Sequence, residues 1–182
     1  MEAKKAADSR VVMNELVLPN DTNTFGNLMG GRLMYWMDIG AAMAAGKHCN
    51  KPCMTASVDN ISFKNPIKLG NIVHIEVKLT RAFNTSMEVR IQVWGEDPLH
   101  QHKYASNEAY FTFVALDEHN RPSPVPALIP VTDEEKEQYK AALRRRQLRL
   151  ILGGKMSPDD ATELKALFVQ NAVQQSHEAN AQ

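Results

Sequence analysis

One stretch constrains this chain above all others: MGGRLMYWMDIGAAMAAGKH, residues 29–48. Two glycines open it, no proline interrupts it, and apolar side chains recur on every side. It predicts a helix from about Met29 to Lys47 that is buried around most of its circumference. Small residues crowd its second half, at Gly40, Ala41, Ala42, Ala44 and Ala45, so neighbouring elements can pack closely. Between Leu33 and Gly46 a single charge remains, that of Asp38. Its helical neighbours one turn away are Met34, Tyr35, Ala41 and Ala42, none of them basic. A carboxylate removed from water without a partner is costly. Asp38 therefore either accepts a hydrogen bond from an adjacent strand or is kept for chemistry. Chemistry is the stronger reading, because costly charges concentrate at functional sites.

The rest of the chain supplies what such a helix needs as cover. Residues 10–19, RVVMNELVLP, read as a short strand stopped by Pro19, and NDTNTFGN after it is turn-forming. MTASVDNISF (54–63) reads as a second strand. In 72–83, Val73, Ile75, Val77 and Leu79 alternate with polar residues; in 86–97, Met87, Val89, Ile91 and Val93 do the same. Asn84 and Thr85 form the short link between these two strands. Residues 103–117 are aromatic and β-branched, a fifth strand, and the Pro-rich 118–131 reads as an extended surface segment. Short links favour antiparallel pairing. The order β, α, β, β, β, β predicts an α+β domain over 8–131, a five-stranded antiparallel sheet curled about one helix.

A helical extension, 132–182, follows. Thr132 and Glu135 form a capping box, Gly153 and Gly154 stop that helix, and Ser157 caps a second one with Pro158 at its first position. The final SHEANAQ is expected to fray. Arg144, Arg145, Arg146 and Arg149 read as a solvated face paired with Glu134, Glu135 and Glu137.

Lys+Arg and Asp+Glu are both 21, so charge does not call for nucleic acid or an acidic membrane as partner. No apolar run suits a signal peptide or a membrane span, so a cytoplasmic protein is expected. Cys49 and Cys53 lack the further ligands of a zinc site and read as free thiols. His48 reads as structural, and Asp59 as a hydrogen-bonding strand residue.

Gly30 and Gly31 give the helix its chemistry. The first helical amides have no internal acceptor and sit at the positive end of the dipole. Glycines let a carbonyl oxygen approach them, as in an oxyanion hole. Gly30 and Asp38, however, lie about 12 Å apart along one helix. One carbonyl cannot meet both. A two-fold dimer with antiparallel helices resolves this, bringing Asp38 of one chain to the Gly30 and Asn27 end of the other.

The stretches LPNDTNTFGNLMGGRLMYWMDIGAA, KHCNKPCMTASVDNISFKNPIKLGN, NTSMEVRIQVW and AYFTFVALDEHNRPSPVPALIPVTDEEKEQY, spread over about 16–140, resemble the hotdog-fold acyl-CoA thioesterases of the YciA-like and brain-type cytosolic acyl-CoA hydrolase group. The resemblance implies hydrolysis of fatty acyl-CoA to free acid and CoA with no metal and no cofactor, in a homodimer assembling to a trimer of dimers. It implies that Asp38 and Asn27 act together across the dimer interface, Asp38 as general base or as nucleophile. The Gly30 and Gly31 amides would then polarise the thioester carbonyl. At the hairpin matching the family's CoA site, Arg81, Asn84, Thr85 and Ser86 are candidates for CoA binding, with Lys64 and Arg121 as candidates for phosphates. Turn chemistry explains Thr85 and Ser86 equally well. A non-catalytic acyl-CoA sensor on this fold is the alternative. Such regulators carry a DNA-binding helix-turn-helix, and no basic recognition helix precedes this fold. A hydratase would need a catalytic His on the central helix, which offers none before His48.

Overall fold

A computed structural model describes residues 1–59, 61 and 63–168. The SHEANAQ segment lies outside the described residues. The chain divides into one unit over Met1–Val131 and a second from Thr132 onward.

The first unit is built around α1 (Gly30–Cys49). A five-stranded antiparallel sheet wraps it: β2 (Val11–Leu16), β3 (Cys53–Val58), β4 (Ile72–Ala82), β5 (Ser86–Asp97) and β6 (His102–Ala115), in the spatial order β2-β4-β5-β6-β3. The period-2 residues behave as their spacing predicts. Val73, Ile75, Val77 and Leu79 of β4 and Met87, Val89, Ile91 and Val93 of β5 are all buried. They meet the helix face made of Met37, Ala41, Ala44 and Ala45, also buried. Gly40 sits where α1 comes closest to the sheet. A Cβ there would lie 3.1 Å from both Met13 Sδ and Val77 Cγ2.

Boundaries differ from the sequence reading in three places. β3 stops at Val58, short of residue 63. The fold begins before residue 8: β1 (Lys4–Lys5) pairs in parallel with β7 (Leu128–Ile129), and Ala6 and Ser9 are buried, with Ser9 Oγ accepting from Leu79 N at 2.9 Å. The Pro-rich 118–131 is extended, but it is not a surface segment. Val125 and Leu128 are buried, Val125 N donates to Asn84 O at 3.0 Å, and the buried His48 meets Pro126 O through Nε2 at 2.8 Å. Burial holds the His48 imidazole below its ordinary pKa, so it bonds as a neutral ring. Proline satisfies this path because it has no amide to leave unpaired there.

In the second unit, α2 (Asp133–Leu152) opens on the capping box, with Glu135 N donating to Thr132 Oγ1 and Thr132 N to Glu135 Oε2, each at 3.2 Å. Gly153 and Gly154 end it, Gly154 at φ +66°. Ser157 caps a single 3-10 turn, Pro158–Asp160, and residues 162–168 become helical only after it. Leu164 N donates to Gln147 Oε1 at 2.9 Å, tying that segment to α2.

The Gly40 contact yields a direct test. Gly40→Val forces a branched side chain against Val77, and should lower unfolding free energy by about 2 kcal/mol in denaturant melts.

Candidate active site

Asp38 projects half-buried from α1 toward β3, not into an unpartnered apolar core. Thr55, the third residue of β3, donates its hydroxyl to Asp38 Oδ1 at 2.6 Å. Such a short, charge-assisted bond fixes the carboxylate's orientation and leaves its second oxygen for other work. Thr55 stands in register with Phe113 on β6, and Phe113 with Met87 on β5. Asp38 therefore lies toward the β4–β5 hairpin end of the sheet.

The start of α1 faces the other end. A cavity of about 300 Å³ opens there, lined by Asn23, Asn27, Gly30, Leu33, Phe63 and Ser106 among others. The loop before the helix is held in several ways. Asn23 Oδ1 accepts from the amides of Phe25 (2.9 Å) and Asn27 (3.2 Å), while Gly26 turns the chain at φ +71°. With its carbonyl so occupied, the group Asn23 can offer a ligand is its Nδ2 amide. Leu28 N donates to Ile67 O at 2.7 Å. Beneath the loop is Asp21, buried, which accepts from Arg32 Nε at 2.6 Å and from Leu18 N at 3.1 Å; its own carbonyl accepts from Met29 N at 2.9 Å. The Arg32 guanidinium holds the Asp21 carboxyl below the usual carboxylate range.

The paired glycines have different surroundings. At Gly30 a Cβ would come within 3.1 Å of the Phe63 ring, so a larger residue there would push that exposed ring outward; at Gly31 there is open space. The first amide to turn back on the helix is that of Arg32, to Met29 O at 3.0 Å.

Within one chain, then, Asn27 and Gly30 share a cavity and Asp38 is not among its lining residues. The candidates for CoA binding also divide. Asn84 accepts through its carbonyl from Val125 N, on the segment that carries Arg121, and Thr85 from Ala115 N at the end of β6, both at 3.0 Å. Phe83 N donates to Ser86 O at 2.8 Å, closing the hairpin, and the Arg81 guanidinium lies 5.6 Å from the centre of the Phe83 ring. Arg121 is exposed in a turn whose amide donates to Asp117 Oδ1. Lys64 belongs to the opposite end, beside Asn65, whose side chain donates to Ala105 O at 2.8 Å. Among the described residues no group of His, Cys, Asp and Glu is arranged to hold a metal ion, and no helix is long and apolar enough to cross a membrane.

Three residues of this region are not singled out by the sequence reading. Asn23 carries a signal: an Asn three before a Gly in a turn-rich run, where its side chain caps local amides. Thr55 alternates with Cys53 and Ser57 on one side of β3, a polar stripe in an otherwise apolar strand. Asp21 has no such mark, since its partner is 11 residues away and no local period links them.

One long helix wrapped by a curled antiparallel sheet, with a carboxylate midway along the helix and a pocket at its N-terminus, defines a hotdog-fold protein of the thioesterase class. Residues 25–100 match the model of the thioesterase superfamily. The chain is 35% identical over 148 residues to YkhA of Bacillus subtilis, described as an acyl-CoA thioester hydrolase, covering 81% of this chain and 86% of that one. It is 42% identical over 143 residues to mouse acyl-coenzyme A thioesterase 11, covering 79% of this chain but only 24% of that relative. An apo-hexameric acyl-CoA thioesterase superposes with a TM-score of 0.82 at 35% identity, over 84% of this chain and 98% of that one. A Staphylococcus aureus acyl-CoA hydrolase, solved with butyryl coenzyme A, coenzyme A and coenzyme A disulfide, gives 0.76 at 33% identity over 99% of each chain. The same hydrolase has been solved as alanine mutants of an aspartate, a threonine and an asparagine. The chain belongs to the thioesterase superfamily, among its acyl-CoA thioester hydrolases.

The Asp21–Arg32 pair gives a pH-dependent prediction. A carboxyl held below its ordinary pKa contributes stability that is present above the ordinary carboxylate range and lost as pH falls through the lowered value. Asp21→Asn should cost about 2 kcal/mol at neutral pH. In acid melts the gap between wild type and variant should close, because the wild-type carboxyl is then protonated too.

Proposed function

We propose that this protein hydrolyses acyl-CoA thioesters to free acid and CoA at a site shared between two subunits. The observation that carries the reading is the Thr55–Asp38 hydrogen bond, between residues 17 apart. The aspartate and threonine mutated in the Staphylococcus aureus hydrolase are also 17 positions apart. The asparagine mutated there precedes its aspartate by 15 positions, the separation of Asn23 from Asp38 here. That spacing favours Asn23 over Asn27 as the catalytic amide, with Asn27 buttressing it through its backbone.

In this reading Asp38 removes a proton from water, or attacks the carbonyl itself to form an anhydride. Thr55 holds the carboxylate in place for either step. The thioester carbonyl is met by the amide nitrogen of Asn23 of the partner subunit, and by the amides at the partner's helix start, Gly30 and Gly31, where developing negative charge is favoured. A thiolate leaves readily, so no strong general acid is needed. The two-fold arrangement is supported by the exposed apolar face of α1, including Tyr35 and Met43, and by Met54 and Val58 on the edge strand β3. It also reunites the divided candidates for CoA: Arg81, Asn84, Thr85, Ser86 and Arg121 of one chain would face Lys64 of the partner subunit. A trimer of such dimers is supported by the hexameric relative. No nucleic acid enters the reaction. A mouse relative named for the cytosol supports a cytoplasmic setting.

Release of CoA thiol from acyl-CoAs of increasing chain length tests this. Wild type should turn over, and Asp38→Ala should lose roughly 10²–10⁴-fold in rate. Thr55→Ala should lose about tenfold, the equivalent of one charge-assisted hydrogen bond. CoA binding without turnover at any chain length would favour the non-catalytic sensor. Mixing Asp38→Ala with Asn23→Ala subunits tests the shared site. Random reassembly should restore about a quarter of wild-type rate, because each mixed dimer regains one intact site. No recovery would place the whole site in one chain. If ¹⁸O from labelled water enters the Asp38 carboxylate during turnover, the anhydride route operates.

A further inference from the structure

The acyl-CoA reaction makes no use of the two cysteines, yet they meet at the C-terminal end of α1. Cys49 is the last residue of the helix and Cys53 the first of β3. Both are free thiols, with their Sγ atoms 3.1 Å apart and each 3.3 Å from Lys51 O. The three-residue link between them is well anchored. Asn50 takes the left-handed conformation at φ 53° and donates its amide to Gly46 O at 2.8 Å. Pro52 O accepts from Leu116 N at 2.9 Å. The Lys51 ammonium is fastened to Ser123 Oγ at 2.7 Å and Pro124 O at 2.9 Å, which keeps a positive charge beside the pair. A disulfide requires a sulfur separation of about 2.05 Å, so bond formation needs an approach of only about 1 Å across a fixed turn.

The two sulfurs are not equivalent. The hydrogen bond shared between the two sulfurs lowers the Cys49 thiol from its ordinary range and pushes the Cys53 thiol up. Cys49 is buried and Cys53 half-buried, so a small oxidant has access that a bulky one lacks.

We propose that Cys49 and Cys53 are a peroxide-responsive dithiol that closes reversibly to an intramolecular disulfide between α1 and β3. The Cys49 thiolate attacks one oxygen of a hydroperoxide, breaking the O–O bond and forming a sulfenic acid. The other oxygen leaves as water or alcohol after taking a proton. Cys53 then displaces the sulfenic oxygen as water, forming the S–S bond. In sum, two thiols are oxidised and one hydroperoxide is reduced to water and an alcohol, or to two waters from hydrogen peroxide. The bond would lie on the helix–strand seam that also carries the Asp38–Thr55 contact, with Cys53 two residues before Thr55. The pair's chemistry does not depend on the acyl-CoA reading.

The test treats the full-length protein with hydrogen peroxide, and in parallel with glutathione disulfide, and reads intact mass, thiol content and disulfide-linked peptides. With peroxide, the mass should fall by two hydrogens, both thiols should vanish, and one cross-linked peptide should join Cys49 to Cys53. A dithiol reductant should reverse all three. Cys53→Ser and Cys49→Ser should each form no intramolecular disulfide and should instead accumulate, on the one remaining cysteine, a sulfenic acid that a cyclic dione traps. Thiols that survive peroxide, a bond between chains, or oxygen added to both sulfurs without a cross-link would each overturn the proposal. A glutathione adduct on either cysteine would overturn the selection of a small oxidant. The disulfide peptide separates true bond formation from any loss of fold in the variants.

Discussion

The rigidity of a single α-helix governs this molecule. Each residue advances the axis by about 1.5 Å, and nothing bends α1 between Gly30 and Asp38. The carboxylate and the helix's positive end are therefore held apart, one toward each end of the sheet. The cavity at the helix start confirms the separation by excluding Asp38 from its lining. A chain built this way keeps its carboxylate apart from the cavity at the helix start. The half-exposed apolar face of α1 is left over after the sheet has covered the other side.

Packing sets how firmly those halves are held. α1 approaches the sheet through Gly40, Ala41, Ala44 and Ala45, so the backbone itself lies against Met13 and Val77 with no long side chain to act as a spacer. Small contacts of this kind have few alternative arrangements. At the helix start the same rigidity is reached electrostatically, through Asp21, Arg32 and the amides they organise. Asp38 is fixed by the strand it faces, through Thr55. The two carboxylates thus do different work, Asp21 bracing the loop before the helix and Asp38 standing half-open with one oxygen uncommitted.

Periodicity made the fold readable from sequence. Alternation in β4 and β5 and the apolar density of α1 each had one consistent solution, and so did the capping box of α2. Asp38 was readable because a lone charge in an apolar helix is conspicuous. Thr55 and Asn23 carried weaker signals, a polar stripe in a strand and an asparagine in a turn, and the third dimension gives them their roles. Asp21 was hidden in a polar run that looked solvent-exposed. The Pro-rich segment misled in the other direction: its composition resembles a surface loop, but carbonyls at Asn84 and Pro126, bonded to Val125 N and to the His48 ring, make it part of the wall.

The pairing of Lys4–Lys5 with Leu128–Ile129 brings the entry and the exit of the first unit side by side. A fold whose two ends are adjacent can be set into a longer polypeptide as a cassette, because the host chain needs to open by no more than the spacing of two strands. The matching region of mouse acyl-coenzyme A thioesterase 11, about a quarter of that protein, is what such portability looks like at the level of whole chains. Neighbours can then be joined at either end of the cassette without stretching the helix or the sheet.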